Sequence, residues 1–135
     1  MVKHLLSDFD LSKEEVLEIL ALSEDMKKNP GKYSEALKNK TLIMLFELDS
    51  LRTRVSFEAG MTQLGGHAIF YNIAGGSFTR SETLADGVKV LSRYIDCIMA
   101  RVLKQEDVEK IGEAASVPVI NAMTIKYHPC QTLAD

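Results

Sequence analysis

Residues Thr41–Gly66 read TLIMLFELDSLRTRVSFEAGMTQLGG, and the fold turns on how this stretch is parsed. The run TLIMLFE is too short and too continuously apolar for a surface helix, and reads as a parallel strand buried on both faces. Two arginines and two hydroxyls then crowd into five residues, Ser50 to Arg54. A helix is expected from about Thr53 to Leu64, stopped by the paired glycines Gly65 and Gly66. Strand, polar turn and helix in that order make the first half of a βαβ unit.

The pattern continues outward in both directions. Upstream, Ser12 to Glu15 forms a capping box that opens a helix with Val16, Leu17, Ile19 and Leu20 on its apolar side. That helix should stop before Asn29-Pro30-Gly31, and a short helical piece is expected at Ser34 to Lys38. Downstream, HAIFYN, DCIMARV and VPVINA read as three further strands. A glycine- and hydroxyl-rich loop, IAGGSFTRS, and a helix from near Glu82 to Tyr94 separate the first two of these, and EDVEKIGEAA is a crossover helix before the last. The expected fold is α/β: a doubly wound, four-stranded parallel sheet with helices on both faces, in one domain spanning 1–135. HPCQTLAD opens one more helix, with Pro129 in its first turn, and the chain stops there. A helix cut short in this way is expected of a fragment or of one half of a larger protein.

Composition narrows the function. A net charge of −3 excludes a general nucleic-acid binder, so an anion site has to come from local clustering. No apolar run reaches the ~20 residues that span a bilayer. The first ten residues lack signal-peptide character, and the only cysteines are Cys97 and Cys130, so a reducing, cytoplasmic setting is expected and a disulfide scaffold is not.

In open parallel sheets, ligands bind beyond the carboxyl ends of the strands. Ser50, Arg52, Thr53 and Arg54 follow the first strand, Arg101 ends the third, and His128 and Gln131 follow the fourth. The first turn of a helix offers unpaired N–H groups and a positive dipole end, so hydroxyls and an arginine fork placed there make a phosphate-sized pocket. The alternative is that Ser50 is an ordinary N-cap, with Arg52 and Arg54 solvated. Arg101, closing an apolar strand, needs a partner: an anion, or an internal salt bridge to Asp96 or Glu106. His128 is either a helix cap or a donor.

Together, FELDSLRTRVSFEAGMTQLGGHAIF, SETLADGVKVLSRYIDCIMAR and VPVINAMTIKYHPCQTLAD resemble the carbamoyl-phosphate-binding half of the carbamoyltransferases over nearly the whole chain. HPCQ is closest to the ornithine branch. The resemblance implies that Ser50, the Leu51 N–H, Arg52 and Thr53 hold the phosphate. It implies that Arg101, His128 and Gln131 are the catalytic residues that engage and polarise the carbamoyl group, and that Arg54 supports the loop. It further implies attack by an amine on the carbonyl carbon with loss of phosphate, no metal or organic cofactor, and a homotrimer in which a neighbour's loop completes the site. Ser77 and Arg80 are the candidates on that loop. Cys130 is read as a small packed residue.

Several positions depart from the family pattern. Leu48-Asp49 stands where a lysine and a small residue or proline are usual. Thr79 and Ser81 replace common glycines, and Thr124-Ile125-Lys126 lacks the usual acidic residue before the histidine. The second domain's Ser-Met-Gly and His-Cys-Leu-Pro loops, which would serve the amino acid acceptor, do not occur. Two other readings therefore stand beside an ornithine-type domain that is inactive alone: a non-catalytic folding or assembly domain, and an aspartate-type domain. An isolated half should also expose apolar surface and self-associate.

Overall fold

A computed structural model describes residues 2–74 and 83–135. The apolar run forms strand β1 (Thr41–Phe46), in which Leu42 to Phe46 are all buried. Side chains alternate along a strand, so burial on both faces requires two layers of cover. Leu42, Met44 and Phe46 meet Phe57 and Met61 of helix α2 (Leu51–Gln63) on one face. Ile43 and Leu45 meet Val88 of α3 (Leu84–Leu91), and Val108 and Ile111 of α4 (Gln105–Ala114), on the other.

Strands β2 (His67–Asn72), β3 (Cys97–Arg101) and β4 (Val119–Asn121) complete a four-stranded, all-parallel sheet in the order β2-β1-β3-β4. From β1 the chain winds outward to β2, then crosses to the opposite side of β1 to form β3. The carboxyl ends of β1 and β3 thus flank the point where the winding reverses, the usual ligand crevice of such sheets. The N-terminal segment, unassigned from its sequence, lies along β4. The Leu5 amide donates to the Val119 carbonyl at 2.9 Å, and the Asn121 amide donates to the Leu5 carbonyl at 2.8 Å. These bonds cover backbone groups that would otherwise leave β4 as an open edge.

Helix α1 (Lys13–Lys28) begins with the expected capping box: Ser12 accepts from the Glu15 amide, and Glu15 accepts from the Ser12 amide. It ends at Asn29, as the sequence indicates. None of its residues is buried, and Leu17 is 55% exposed. The helical piece expected at Ser34 to Lys38 is instead a series of turns, preceded by a 3-10 turn at Pro30–Tyr33. Five residues are too few to offset helix nucleation, whereas Pro30 favours a single tight turn. Helix α3 is shorter than expected from near Glu82 to Tyr94: Thr83 caps its start, and the Ser92 hydroxyl bonds back to the Val88 carbonyl at its end. Helix α2 starts two residues earlier than expected, at Leu51, with Ser50 as its N-cap.

The glycine pair ends α2 with both bonds of a Schellman motif. The Gly65 amide donates to the Thr62 carbonyl, and the Gly66 amide to the Met61 carbonyl. Gly65 has φ +85°, and a Cβ there would sit 2.6 Å from the Ser34 carbonyl oxygen. Gly65→Ala should therefore destabilise the chain by about 2 kcal/mol or more through strain and a backbone clash, read as a lowered midpoint in urea unfolding. An unchanged midpoint would contradict this role.

Candidate anion site at the switch point

Ser50 has extended backbone at φ −158° and caps α2, so the first turn of that helix opens beside the end of β1. Its Oγ accepts from the Thr53 amide at 3.4 Å and donates to Thr53 Oγ1 at 3.0 Å. A guanidinium nitrogen of Arg101, at the end of β3, donates to the same Thr53 Oγ1 at 3.2 Å and to the Ala122 carbonyl at 3.3 Å. Thr53 Oγ1 thus accepts from two donors, which fills its lone pairs and leaves its own proton to point at a further acceptor.

The Nε of Arg101 is buried and has no partner among the described residues. The salt bridge weighed for this arginine is not formed. Asp96 instead accepts from the Thr41 amide at 2.9 Å and pairs with Lys40. The reason is distance: Asp96 precedes β3 and Arg101 ends it, so strand rise sets them roughly 16 Å apart. Glu106 makes no ion pair among the described residues. Burial without an anionic partner lowers the pKa of Arg101 from its usual value.

The other predicted residues are placed as follows. Leu51 and Arg52 occupy the exposed first turn of α2, and Arg52 has no partner among the described residues. Arg54 faces away from the cluster's hydroxyls: its Nε donates to Glu58 at 2.9 Å, and its guanidinium stacks 3.8 Å from the Phe70 ring centroid, bracing α2 against β2. Asp49 is exposed and makes no ion pair among the described residues.

His128 is the N-cap of α5 (Pro129–Ala134), and its Nδ1 accepts from the Gln131 amide at 3.4 Å. That leaves Nε2 to carry the proton of the neutral ring. Burial, and then the positive charge of Arg101, push the His128 pKa below its ordinary value, against the opposing pull of Asp8 and Asp135. A neutral imidazole beside an arginine is the result. The Gln131 side-chain amide donates to Asp135 at 2.8 Å and is exposed, so it lies along α5 and makes no bond to Arg101 or Thr53. Ser77 and Arg80 lie outside the described residues. No group of three or more His, Cys, Asp or Glu converges as metal ligands among the described residues.

A larger apolar cavity of about 670 Å³ lies elsewhere, at the amino ends of the strands, lined by Leu42, Phe57, Met61 and Cys97 among others. None of the cluster's polar residues borders it. Reading the sequence missed the Ala122 carbonyl as a partner of Arg101, because a main-chain acceptor leaves no side-chain signature. It also missed the buried Asn121, although an asparagine closing the apolar run VPVIN is a visible anomaly.

A doubly wound domain with hydroxyl and guanidinium donors converging at its switch point belongs to the class of open α/β domains that offer a crevice beyond the strand ends. The chain belongs to the aspartate/ornithine carbamoyltransferase family: the family model "Aspartate/ornithine carbamoyltransferase, carbamoyl-P binding domain" matches residues 3–135. Among curated relatives, it is 46% identical to the catabolic ornithine carbamoyltransferase of Halobacterium salinarum, over 99% of this chain and 45% of that protein. The solved ornithine carbamoyltransferase of Pyrococcus furiosus superposes with a TM-score of 0.91 at 47% identity, over 98% of this chain and 43% of the other. The aspartate transcarbamoylase catalytic subunit of M. jannaschii superposes with a TM-score of 0.88 at 38% identity, over 98% and 44% of the two chains. The chain thus spans less than half the length of these relatives.

Both cysteines are free thiols pushed up to about 11 by burial. At pH 8 only roughly a thousandth of either would be thiolate. Iodoacetamide should therefore modify the folded chain far more slowly than the urea-unfolded one; rapid labelling of folded Cys130 would put a nucleophile where none is expected.

Proposed function

We propose that this chain is the carbamoyl-phosphate half of an ornithine-type carbamoyltransferase and completes an active site only with a second, amino-acid-binding domain. The observation that carries the reading is the Ser50–Thr53–Arg101 chain of hydrogen bonds at the switch point, with a buried Arg101 Nε left unpaired. A buried donor without an acceptor is costly, and a bound oxygen anion would supply one.

In this reading the first turn of α2 holds the phosphate through the Leu51 N–H, the Ser50 and Thr53 hydroxyls and the exposed fork of Arg52. The neutral His128 and the cationic Arg101 donate to the carbamoyl oxygen. An amine lone pair then forms a C–N bond at the carbonyl carbon, and charge builds on the oxygen these donors face. The tetrahedral intermediate collapses by breaking the bond between the carbonyl carbon and the bridging oxygen, which stays on phosphorus. The electron pair leaves with phosphate, where arginine charge is waiting, and the amine gives up a proton to yield a ureido product such as citrulline. Gln131 would have to exchange Asp135 for substrate in order to take part. The chemistry needs no side-chain nucleophile, which accords with two half-buried, protonated thiols.

The ornithine-type relatives and HPCQ favour ornithine as acceptor, while the likeness to an aspartate transcarbamoylase keeps aspartate as the second reading. The uncovered apolar cavity and the exposed leucines of α1 are surfaces for a second domain to cover. A homotrimer, with Ser77 and Arg80 reaching a neighbour's ligand, and a cytoplasmic setting complete the proposal. The exposed, unpaired Asp49 beside Ser50 favours a non-catalytic domain, since a carboxylate repels an anion, and the departures at Thr79 and Ser81 favour it too.

Calorimetric titration with carbamoyl phosphate or a phosphonate mimic tests the reading. Saturable binding is expected in the parent chain, weakened roughly ten- to hundredfold by Arg52→Ala, as suits the loss of a charged hydrogen bond. No binding by the parent up to millimolar ligand would move the non-catalytic reading to first place.

A further inference from the structure

We propose that Thr124, held by Gln105, is a positioning residue that sets His128 and Arg101 in register at the carbamoyl end of the site. The inference rests on the carbamoyl-phosphate reading and adds to it a device that lies behind the ligand.

The turn that follows β4 is built on the Thr124 hydroxyl. Thr124 is 4% exposed, and its Oγ1 accepts from the Lys126 amide at 3.2 Å and from the Tyr127 amide at 3.1 Å. The Thr124 amide in turn donates to the Tyr127 carbonyl at 2.9 Å, so the turn closes in both directions. His128 is the next residue. The hydroxyl proton has two acceptors in reach, Gln105 Oε1 on α4 at 2.8 Å and, at the longer distance of 3.3 Å, the Tyr127 carbonyl within the turn. Gln105 is itself fixed, because its amide nitrogen donates to the Leu6 carbonyl at 3.1 Å. The fully buried Asn121 donates to that same carbonyl at 2.8 Å, so the turn is pinned to α4, β4 and the N-terminal segment together.

A strained residue lies between this anchor and Arg101. Met123 has φ +142°, a region that side-chain-bearing residues rarely adopt. Its amide is held by Asn121 Oδ1 at 2.9 Å, and its carbonyl accepts from the Val102 amide at 3.1 Å. The residue before it, Ala122, supplies the carbonyl that takes Arg101. The residue after it is Thr124. Strain persists only where the surroundings over-determine the backbone, and here Asn121 on one side and the Thr124–Gln105 bond on the other do so. The Ala122 carbonyl aimed at Arg101 and the ring of His128 are therefore two ends of one braced segment. Releasing Thr124 should let the segment relax and carry His128 away from Arg101, with no change to the α2 cluster.

The test compares Thr124→Val, which keeps the shape and removes the hydroxyl, with Thr124→Ser, which keeps the hydroxyl. Three quantities are read on the 135-residue chain: the thermal midpoint, the titration of the assigned His128 ring protons from about pH 4 to 9, and calorimetric affinities for carbamoyl phosphate and for inorganic phosphate. The charges acting on His128 are Arg101 of β3, Asp8 of the N-terminal segment and Asp135 of α5. In the parent its midpoint lies below the ordinary histidine value, held there by burial and by Arg101. Thr124→Val should raise that midpoint toward the ordinary value. It should also weaken carbamoyl phosphate about tenfold, the effect of one lost hydrogen bond to the carbamoyl group, while inorganic phosphate binds within about twofold of the parent. Thr124→Ser should restore both.

Gln105→Leu, which removes the acceptor and leaves the hydroxyl, should reproduce the Thr124→Val pattern and carries the test if the valine variant does not fold. A folded variant that loses only thermal stability, with the His128 midpoint and the carbamoyl phosphate affinity of the parent, would overturn the proposal. If the parent binds no carbamoyl phosphate, the functional reading fails by itself, and the His128 titration still decides whether Thr124 positions the ring.

Discussion

The structure depends on burying one strand from both sides. Leu42 to Phe46 have no exposed face, so helices must cover β1 above and below. A chain that places α2 on one face and α3 and α4 on the other must reverse its winding beside β1. That reversal separates the connections at the carboxyl ends of β1 and β3 and opens the crevice in which the polar cluster sits. Hydrophobic cover and ligand crevice are two consequences of the same constraint.

Within the crevice, Thr53 is the joint between two elements far apart in the chain. Its hydroxyl ties the first turn of α2 to the end of β3 and leaves its own proton available. Arg101 is held by neutral oxygens, so its charge is not cancelled internally and remains for an incoming anion. Burial first, and then the same uncancelled charge, lower the pKa of the neighbouring His128, so that its neutral ring can donate from Nε2 without adding a second cation. No carboxylate is bonded to Arg101 among the described residues.

The other side of the molecule is far less complete. Helix α1 buries no residue, and a cavity of about 310 Å³ lies between it and α5, lined by Val16, Leu20 and Leu133 among others. The amphipathic pattern in Val16, Leu17, Ile19 and Leu20 is real in the sequence but unpaid by packing in this chain. Relatives more than twice as long share the fold over the length of this chain.

Much of this was legible in the residues alone, and the division follows from the range of the forces involved. The continuous apolar run, the capping box at Ser12, the glycine stop at Gly65 and the strand–helix alternation are local signals, and all reappear in the fold. They determined a doubly wound sheet, and with it which strand ends would hold Ser50, Thr53, Arg101 and His128. Local signals failed at Ser34 to Lys38, where a helix-compatible composition was too short to nucleate one. Only the tertiary structure decided that Arg101 turns to Thr53 and Ala122 and not to Asp96, that Arg54 stacks on Phe70, and that Asn121, Gln105 and Thr124 meet in one buried network. Hydrogen bonds of that kind depend on distance and direction between residues remote in the chain, and no periodicity along the sequence encodes them.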